Sequence, residues 1–156
     1  MTVAKALGNG LPIGAMLTRK EFAASFVPGT HGSTFGGNPV AAAAAVATLK
    51  IILEDGFLDG VKEKGEYLQA GLDVLAARFP NLASGARGMG LIQGLVLTEK
   101  GVESGADMVN KLFDKGILIN FAGNAVLRFL PPLIITKEEI DQLLTGLGEV
   151  LAEYQD

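Results

Sequence analysis

The 156-residue chain has no cysteine, no tryptophan and a single histidine, His31. Without cysteine there is neither a disulfide framework nor a thiolate metal site, and one histidine cannot build a ligand cluster, so no metal site is expected. Aromatic residues make up only 6% and the formal net charge is -4, so the chain lacks the basic, aromatic-interleaved stripe that grips a nucleic-acid backbone. A long apolar run is missing too. The most apolar stretch, Val40 to Leu53, is interrupted by Thr48 and Lys50 and is too short to cross a bilayer. The first ten residues show no long apolar core followed by a small-residue cleavage site, which reads as cytoplasmic. Neither nucleic acid nor membrane is an expected partner.

What is present suits a packed protein. Hydrophobic residues make up 49% and charged residues 19%, and the length allows one ordinary domain or two small lobes. The pattern opens with a short buried strand in Leu11 to Leu17, then a helix started by the capping-box spacing Thr18 to Glu21 and ending before Pro28. Residues 29–37 hold four glycines with Thr30, His31, Ser33 and Thr34 and read as a loop. Asn38 is a good N-cap and Pro39 suits the first helical position, so a helix is expected to about Glu54. It is apolar on nearly every face and needs cover on all of them, from a large domain or a partner subunit.

The composition shifts near Gly56. Val61, Leu68, Leu72, Leu75 and Phe79 recur at helical spacing between charged residues, giving an amphipathic helix. Ser84-Gly85 reads as a turn and Gly90 to Thr98 as a strand. Ser104 is expected to cap a helix carrying Val109, Leu112 and Phe113, stopped at Gly116. Ile117 to Phe121 and Ala125 to Phe129 form two strands about a hairpin-like turn, and Thr136 with Glu139 opens a last helix with a complete apolar stripe. The expectation is an α/β chain: residues 1–55 in one region, residues 56–156 in an α+β lobe.

Two features could carry chemistry. Lys5 sits among apolar neighbours before a glycine turn, and a lysine becomes an imine-forming nucleophile when its surroundings disfavour the charged form. Taken alone the signal is weak, because a lysine near a chain terminus is usually just a solvated charge. The loop Gly32-Ser33-Thr34-Phe35-Gly36-Gly37 leads into a helix N-terminus, where free N–H groups and hydroxyls favour a phosphate. The alternative is a glycine-rich connection whose hydroxyls serve its own backbone.

Taken together, Ala4-Lys5-Ala6-Leu7-Gly8, Pro12-Ile13-Gly14-Ala15 and His31-Gly32-Ser33-Thr34-Phe35-Gly36-Gly37-Asn38-Pro39 resemble, in order and spacing, the class III pyridoxal-phosphate-dependent aminotransferases, most of all their acetylornithine/ornithine branch. The resemblance implies the C-terminal portion of a fold type I transferase, with residues 1–55 from the cofactor-binding domain, residues 56–156 the small domain, and the N-terminal half absent. It implies that Lys5 is the Schiff-base lysine and that Thr34, aided by Ser33, binds the cofactor phosphate of a neighbouring subunit in a dimer. Arg128, in Arg128-Phe129-Leu130-Pro131-Pro132-Leu133, matches the arginine that holds a substrate carboxylate. Arg87, in Arg87-Gly88-Met89-Gly90-Leu91, is given a structural role, and His31 that of a loop hydrogen-bonding group.

By the same resemblance the substrates are acetylornithine or a similar basic amino acid and 2-oxoglutarate, a step of arginine biosynthesis. The aspartate, the ring-stacking aromatic and the phosphate-binding turn of the family would lie in the absent half. The competing expectation is therefore a non-catalytic fragment that self-associates through the helix from Pro39 to Leu53. Another pyridoxal-phosphate activity on the same scaffold is a third.

Overall fold

The structure is a computed structural model that describes residues 1–155. Its internal contacts divide the chain into two compact units, Met1–Leu58 and the residues from Asp59 onward.

In the first unit, β1 (Thr2–Val3) pairs antiparallel with β2 (Ala15–Met16), and a 3-10 turn over Lys5–Gly8 lies between them in sequence. A single helical turn, α1 (Lys20–Ala23), follows; its N-cap is Arg19, with no side-chain cap bond. The expected capping box from Thr18 is therefore not made. The strand expected to be buried is two residues long with both residues exposed, because too few side chains surround it to enclose a core. The helix expected from Asn38 is present as α2 (Pro39–Ile52). The Asn38 side chain accepts hydrogen bonds from the Val40 and Ala41 amides at 3.0 and 3.2 Å. Only Ala41 and Ala45 of that helix are buried, and Gly8 is the only other buried residue of this unit among the described residues.

The second unit has a full core. α3 (Phe57–Arg78), which starts at the unit boundary, leads into the hairpin of β3 (Ala83–Met89) and β4 (Ile92–Leu97). Then come α4 (Glu99–Asp114), the hairpin of β5 (Asn120–Ala122) and β6 (Val126–Phe129), and α5 (Lys137–Ala152). The antiparallel sheet has the order β3-β4-β6-β5, so the hairpins join at the β4–β6 seam. Alternation along the strands sends Leu95, Leu97, Leu127 and Phe129 to one face. There they pack with Leu68 and Leu72 of α3, Met108 and Leu112 of α4, and Leu147 and Leu151 of α5. Each such leucine, fully out of water, contributes about 1.5–3 kcal/mol.

Two close approaches set how tightly the helices seat. A Cβ built on Gly101 of α4 would lie 2.0 Å from the Leu82 carbonyl oxygen, and one on Gly65 of α3 would lie 2.2 Å from the Gly90 carbonyl oxygen. Only glycine lets these helices meet backbone. Near the second contact the buried Gln93 donates to the Gly90 carbonyl at 2.7 Å.

Helix ends and rims account for the charges. Thr136 and Glu139 complete the expected capping box. Thr98, not Ser104, caps α4, so that helix begins a turn and a half earlier than its sequence suggests, and Phe113 is exposed. Lys137 bridges to Glu63 and Lys115 to Glu149, each at 2.7 Å. The hydrogen-bonded lysine holds the Glu63 carboxyl below its ordinary range, and the carboxylates push Lys137 and Lys115 up. Among the described residues, no helix is long and apolar enough to cross a membrane.

Candidate functional site

Lys5 opens the 3-10 turn with φ 57°, in the left-handed region, between the extended Ala4 and the rest of the turn. A non-glycine residue there costs roughly 1–2 kcal/mol, so the surrounding turn over-determines its backbone. The turn packs against α2, and the side chain is exposed with no ion-pair partner among the described residues. That leaves its amine available.

Ser33 and Thr34 are exposed in the tight turn before α2, where the Gly36 amide donates to the Ser33 carbonyl at 3.2 Å. Their hydroxyls have no hydrogen-bond partner among the described residues. Ser33 lines a concavity with Pro12, Gly14, Gly37 and Asn38; Thr34 and Lys5 do not border it. The free helix amides expected here are not free. Asn38 takes those of Val40 and Ala41 through its side chain and that of Ala42 through its carbonyl, and Pro39 has none. Any phosphate held by this segment must rely on hydroxyls and the helix dipole.

The residues thus fit the two ends of pyridoxal phosphate by their chemistry: an unpaired primary amine for its aldehyde and unpaired hydroxyls for its phosphate. The concavity that Ser33 borders does not gather them. His31 is exposed, its ring 5.2 Å from that of Phe26, and its side chain makes none of the expected loop hydrogen bonds among the described residues.

Arg128 stands elsewhere, on β6. Its register partners are Gly94 on β4 and Asn120 on β5, and Gly94 in turn faces Arg87 on β3. The row Arg87–Gly94–Arg128–Asn120 therefore projects from the sheet face opposite the leucine core. Both arginines line an open concavity of about 450 Å³, with Gly94 in its floor and Ile92, Val126 and Gly123 around it. Arg87 is exposed and makes no ion pair or hydrogen bond through its side chain among the described residues.

The class-III aminotransferase family profile matches residues 1–151. The chain belongs to the class-III aminotransferases. It is 48% identical over 155 residues to the acetylornithine aminotransferase of Caldanaerobacter subterraneus subsp. tengcongensis, covering 99% of this chain and 38% of that protein. Over 142 residues it is 51% identical to the acetylornithine aminotransferase of Myxococcus xanthus, covering 90% of this chain and 34% of that one. Among solved structures, the N-acetylornithine aminotransferase of Stenotrophomonas maltophilia matches with a TM-score of 0.83 at 34% identity, over 98% of this chain and 39% of that chain. An ornithine delta-aminotransferase of Plasmodium falciparum matches with a TM-score of 0.89 at 27% identity, covering 99% and 40%. This class-III aminotransferase chain thus carries the family's mixed helix-and-sheet fold and spans a little over a third of the length of these curated relatives.

Proposed function

We propose that this chain supplies the Schiff-base lysine, a phosphate-contacting loop and a carboxylate-gripping arginine to an aminotransferase that acts on acetylornithine or a similar basic amino acid and 2-oxoglutarate. Residues 1–55 belong to its cofactor-binding domain and residues 56–156 to its small domain. The observation that carries the reading is the exposed, unpaired amine of Lys5 on a backbone held in the left-handed region, within a chain matched along 99% of its length by an acetylornithine aminotransferase.

Pyridoxal phosphate, when bound, supplies the electron sink for the bonds at the substrate Cα. Lys5 is the residue that would hold the cofactor's aldehyde end through its Nζ and, as a free amine, would serve as the base for the proton at the substrate Cα. The hydroxyls of Ser33 and Thr34 donate to phosphate oxygens, Thr34 across a dimer interface to the neighbouring subunit's cofactor. Arg128 orients the amino acid by paired N–H bonds to a carboxylate. The assembly works in the cytoplasm.

Incubation with pyridoxal phosphate, borohydride reduction and peptide mapping test this. The expected result is one dominant reduced adduct on Lys5, lost in Lys5→Ala. Label spread evenly over the other lysines overturns it.

A second reading is favoured by one observation: Val40, Val46 and Ile51 on α2, with Leu53 just beyond its end, are half or more exposed. On that reading the chain is a non-catalytic piece that self-associates through α2. Light scattering showing oligomers without any Lys5 adduct would support it.

A further inference from the structure

Of the six asparagines in the chain, only Asn9 is followed by glycine. Asn9 and Gly10 leave the 3-10 turn that begins at Lys5, and both are exposed. The side-chain carbonyl of an asparagine is open to attack by the next backbone nitrogen when that nitrogen is unhindered, unbonded and able to swing round to it. Gly10 carries no Cβ, and beyond its chain neighbours no heavy atom lies within 4 Å of where one would stand. Neither the Asn9 carbonyl nor the Gly10 amide has a hydrogen-bond partner among the described residues, so the peptide plane between them is held at neither end. Asn9 stands at φ 46° and ψ 50°, which points the Gly10 nitrogen away from the Asn9 side chain, and Gly10 stands at φ 109°. Ring closure therefore requires that plane to turn over and carry Gly10 to negative φ. Glycine accepts either sign at similar cost.

The other asparagines lack this freedom. Asn124 is also exposed and left-handed, with φ 50°, but the next residue is Ala125, whose amide donates to the Ala122 carbonyl at 3.2 Å. Turning that plane breaks the bond and drags a Cβ round with it. Asn81 precedes the Leu82 amide, which donates to the Phe79 carbonyl at 2.9 Å, and Asn38 precedes Pro39, which has no N–H. Asn110 and Asn120 lie inside α4 and β5.

We infer that Asn9 is a self-modification site, at which the chain converts asparagine to aspartate and isoaspartate, and that this conversion switches off the Lys5 turn. The Gly10 nitrogen bonds to Asn9 Cγ and gives up its proton, and the side-chain nitrogen leaves as ammonia. Water then opens the cyclic imide. Cleavage of its bond to Cγ gives aspartate; cleavage of its bond to the main-chain carbonyl carbon gives isoaspartate, with the main chain rerouted through the former side chain. The sum is one water in and one ammonia out, with no change of oxidation state. Either product puts a carboxylate on a turn where Lys5 has no ion-pair partner among the described residues, and a paired ammonium is not a nucleophile. Isoaspartate also lengthens the main chain inside the loop that the Leu11 amide closes on the Gly8 carbonyl at 3.1 Å. The switch rests on the reading of Lys5 given above; the modification does not.

The test is to age the purified full chain in mildly alkaline buffer and map its tryptic peptides by mass, each conversion adding about 1 Da. Asn9 is expected to convert at least about tenfold faster than Asn124, whose hydrogen bond and Cβ together cost that much. Ala125→Gly gives Asn124 the same following residue but leaves its amide bonded, so Asn124 should still lag about fivefold. Equal rates at the two positions in that variant, conversion spread evenly over the other asparagines, or an unchanged Asn9 overturns the site. Pyridoxal phosphate and borohydride applied to the aged sample then mark Lys5. A marked Lys5 resists trypsin and leaves both residues on one peptide, residues 1–19, whereas an unmarked one releases residues 6–19. Converted Asn9 should be depleted from the first peptide and enriched in the second; equal proportions overturn the switch. Absence of any Lys5 label in fresh material removes the cofactor reading and the switch with it, while the conversion rates decide the Asn9 site by themselves.

Discussion

In the unit from Asp59 onward, three helices of mixed polarity enclose leucines that see almost no solvent, whereas in Met1–Leu58 the far more apolar α2 buries only two alanines. The contrast runs against composition. α4 has alternating charges and apolar residues, and its Met108 and Leu112 are fully buried; α2 has one charge in fourteen residues, and Leu53 beyond its end is 71% exposed. An apolar segment becomes a core only when its periodicity matches a partner surface, and the second unit provides that surface from its own sheet. The first unit offers almost none within itself.

The largest effect that would break this comparison comes from core truncation. Leu127→Ala in β6 or Leu68→Ala in α3 should cost about 2–5 kcal/mol in urea denaturation, whereas Leu53→Ala should change stability by less than about 0.5 kcal/mol. Similar losses for both would mean that the first unit hides a core. Next in size is Gly101→Ala, which forces α4 off the Leu82 carbonyl and should cost about 1–3 kcal/mol. Gly32→Ala, with nothing within 4 Å of the added carbon, should leave the denaturation midpoint unmoved.

Cap removal sharpens the contrast. Thr136→Ala should lower global stability by about 1 kcal/mol, read as a shift in the cooperative transition. Asn38→Ala removes the acceptor for two amides of α2 and should instead appear as faster hydrogen exchange at Val40 and Ala41, without moving that transition.

The smallest effect is that of pH. Glu63 is held low, so its contribution is present above the ordinary carboxylate pKa and is lost as pH falls through the lowered value. Lys137 and Lys115 are pushed up, so theirs is present below the ordinary lysine pKa and is lost as pH rises through the raised values. Thermal melts should show a shallow fall at both extremes, with the acid limb reduced in Lys137→Met and both limbs flattened by salt.

Much of this was legible because local chemistry and packing agree. The caps at Asn38 and Thr136, the stripe of α5 and the β5–β6 hairpin all follow from residues at the right spacing. β3 was not visible: Ala83-Ser84-Gly85-Ala86 has turn composition, and it is extended because β4 pairs with it across a bulge. The start of α4 was misplaced because Gly101 and Gly105 weaken its helical signal, although both are there to let α4 come close to its neighbours. At the site, motif similarity pointed to Lys5, but neither its left-handed backbone nor the use of the α2 amides by Asn38 could be read from residue types. Arg87 and Arg128 are far apart in sequence, and only strand register brings them into one row.

That register has a kinetic side. β3–β4 and β5–β6 are local hairpins that close over short loops, whereas the β4–β6 seam must bring together segments separated by the whole of α4. Loop closure makes such a seam the slower event, so the hairpins are expected to form early and to dock late. Arg87 lies on one hairpin and Arg128 on the other. The groove between them does not exist in either piece and comes into being only when the seam closes.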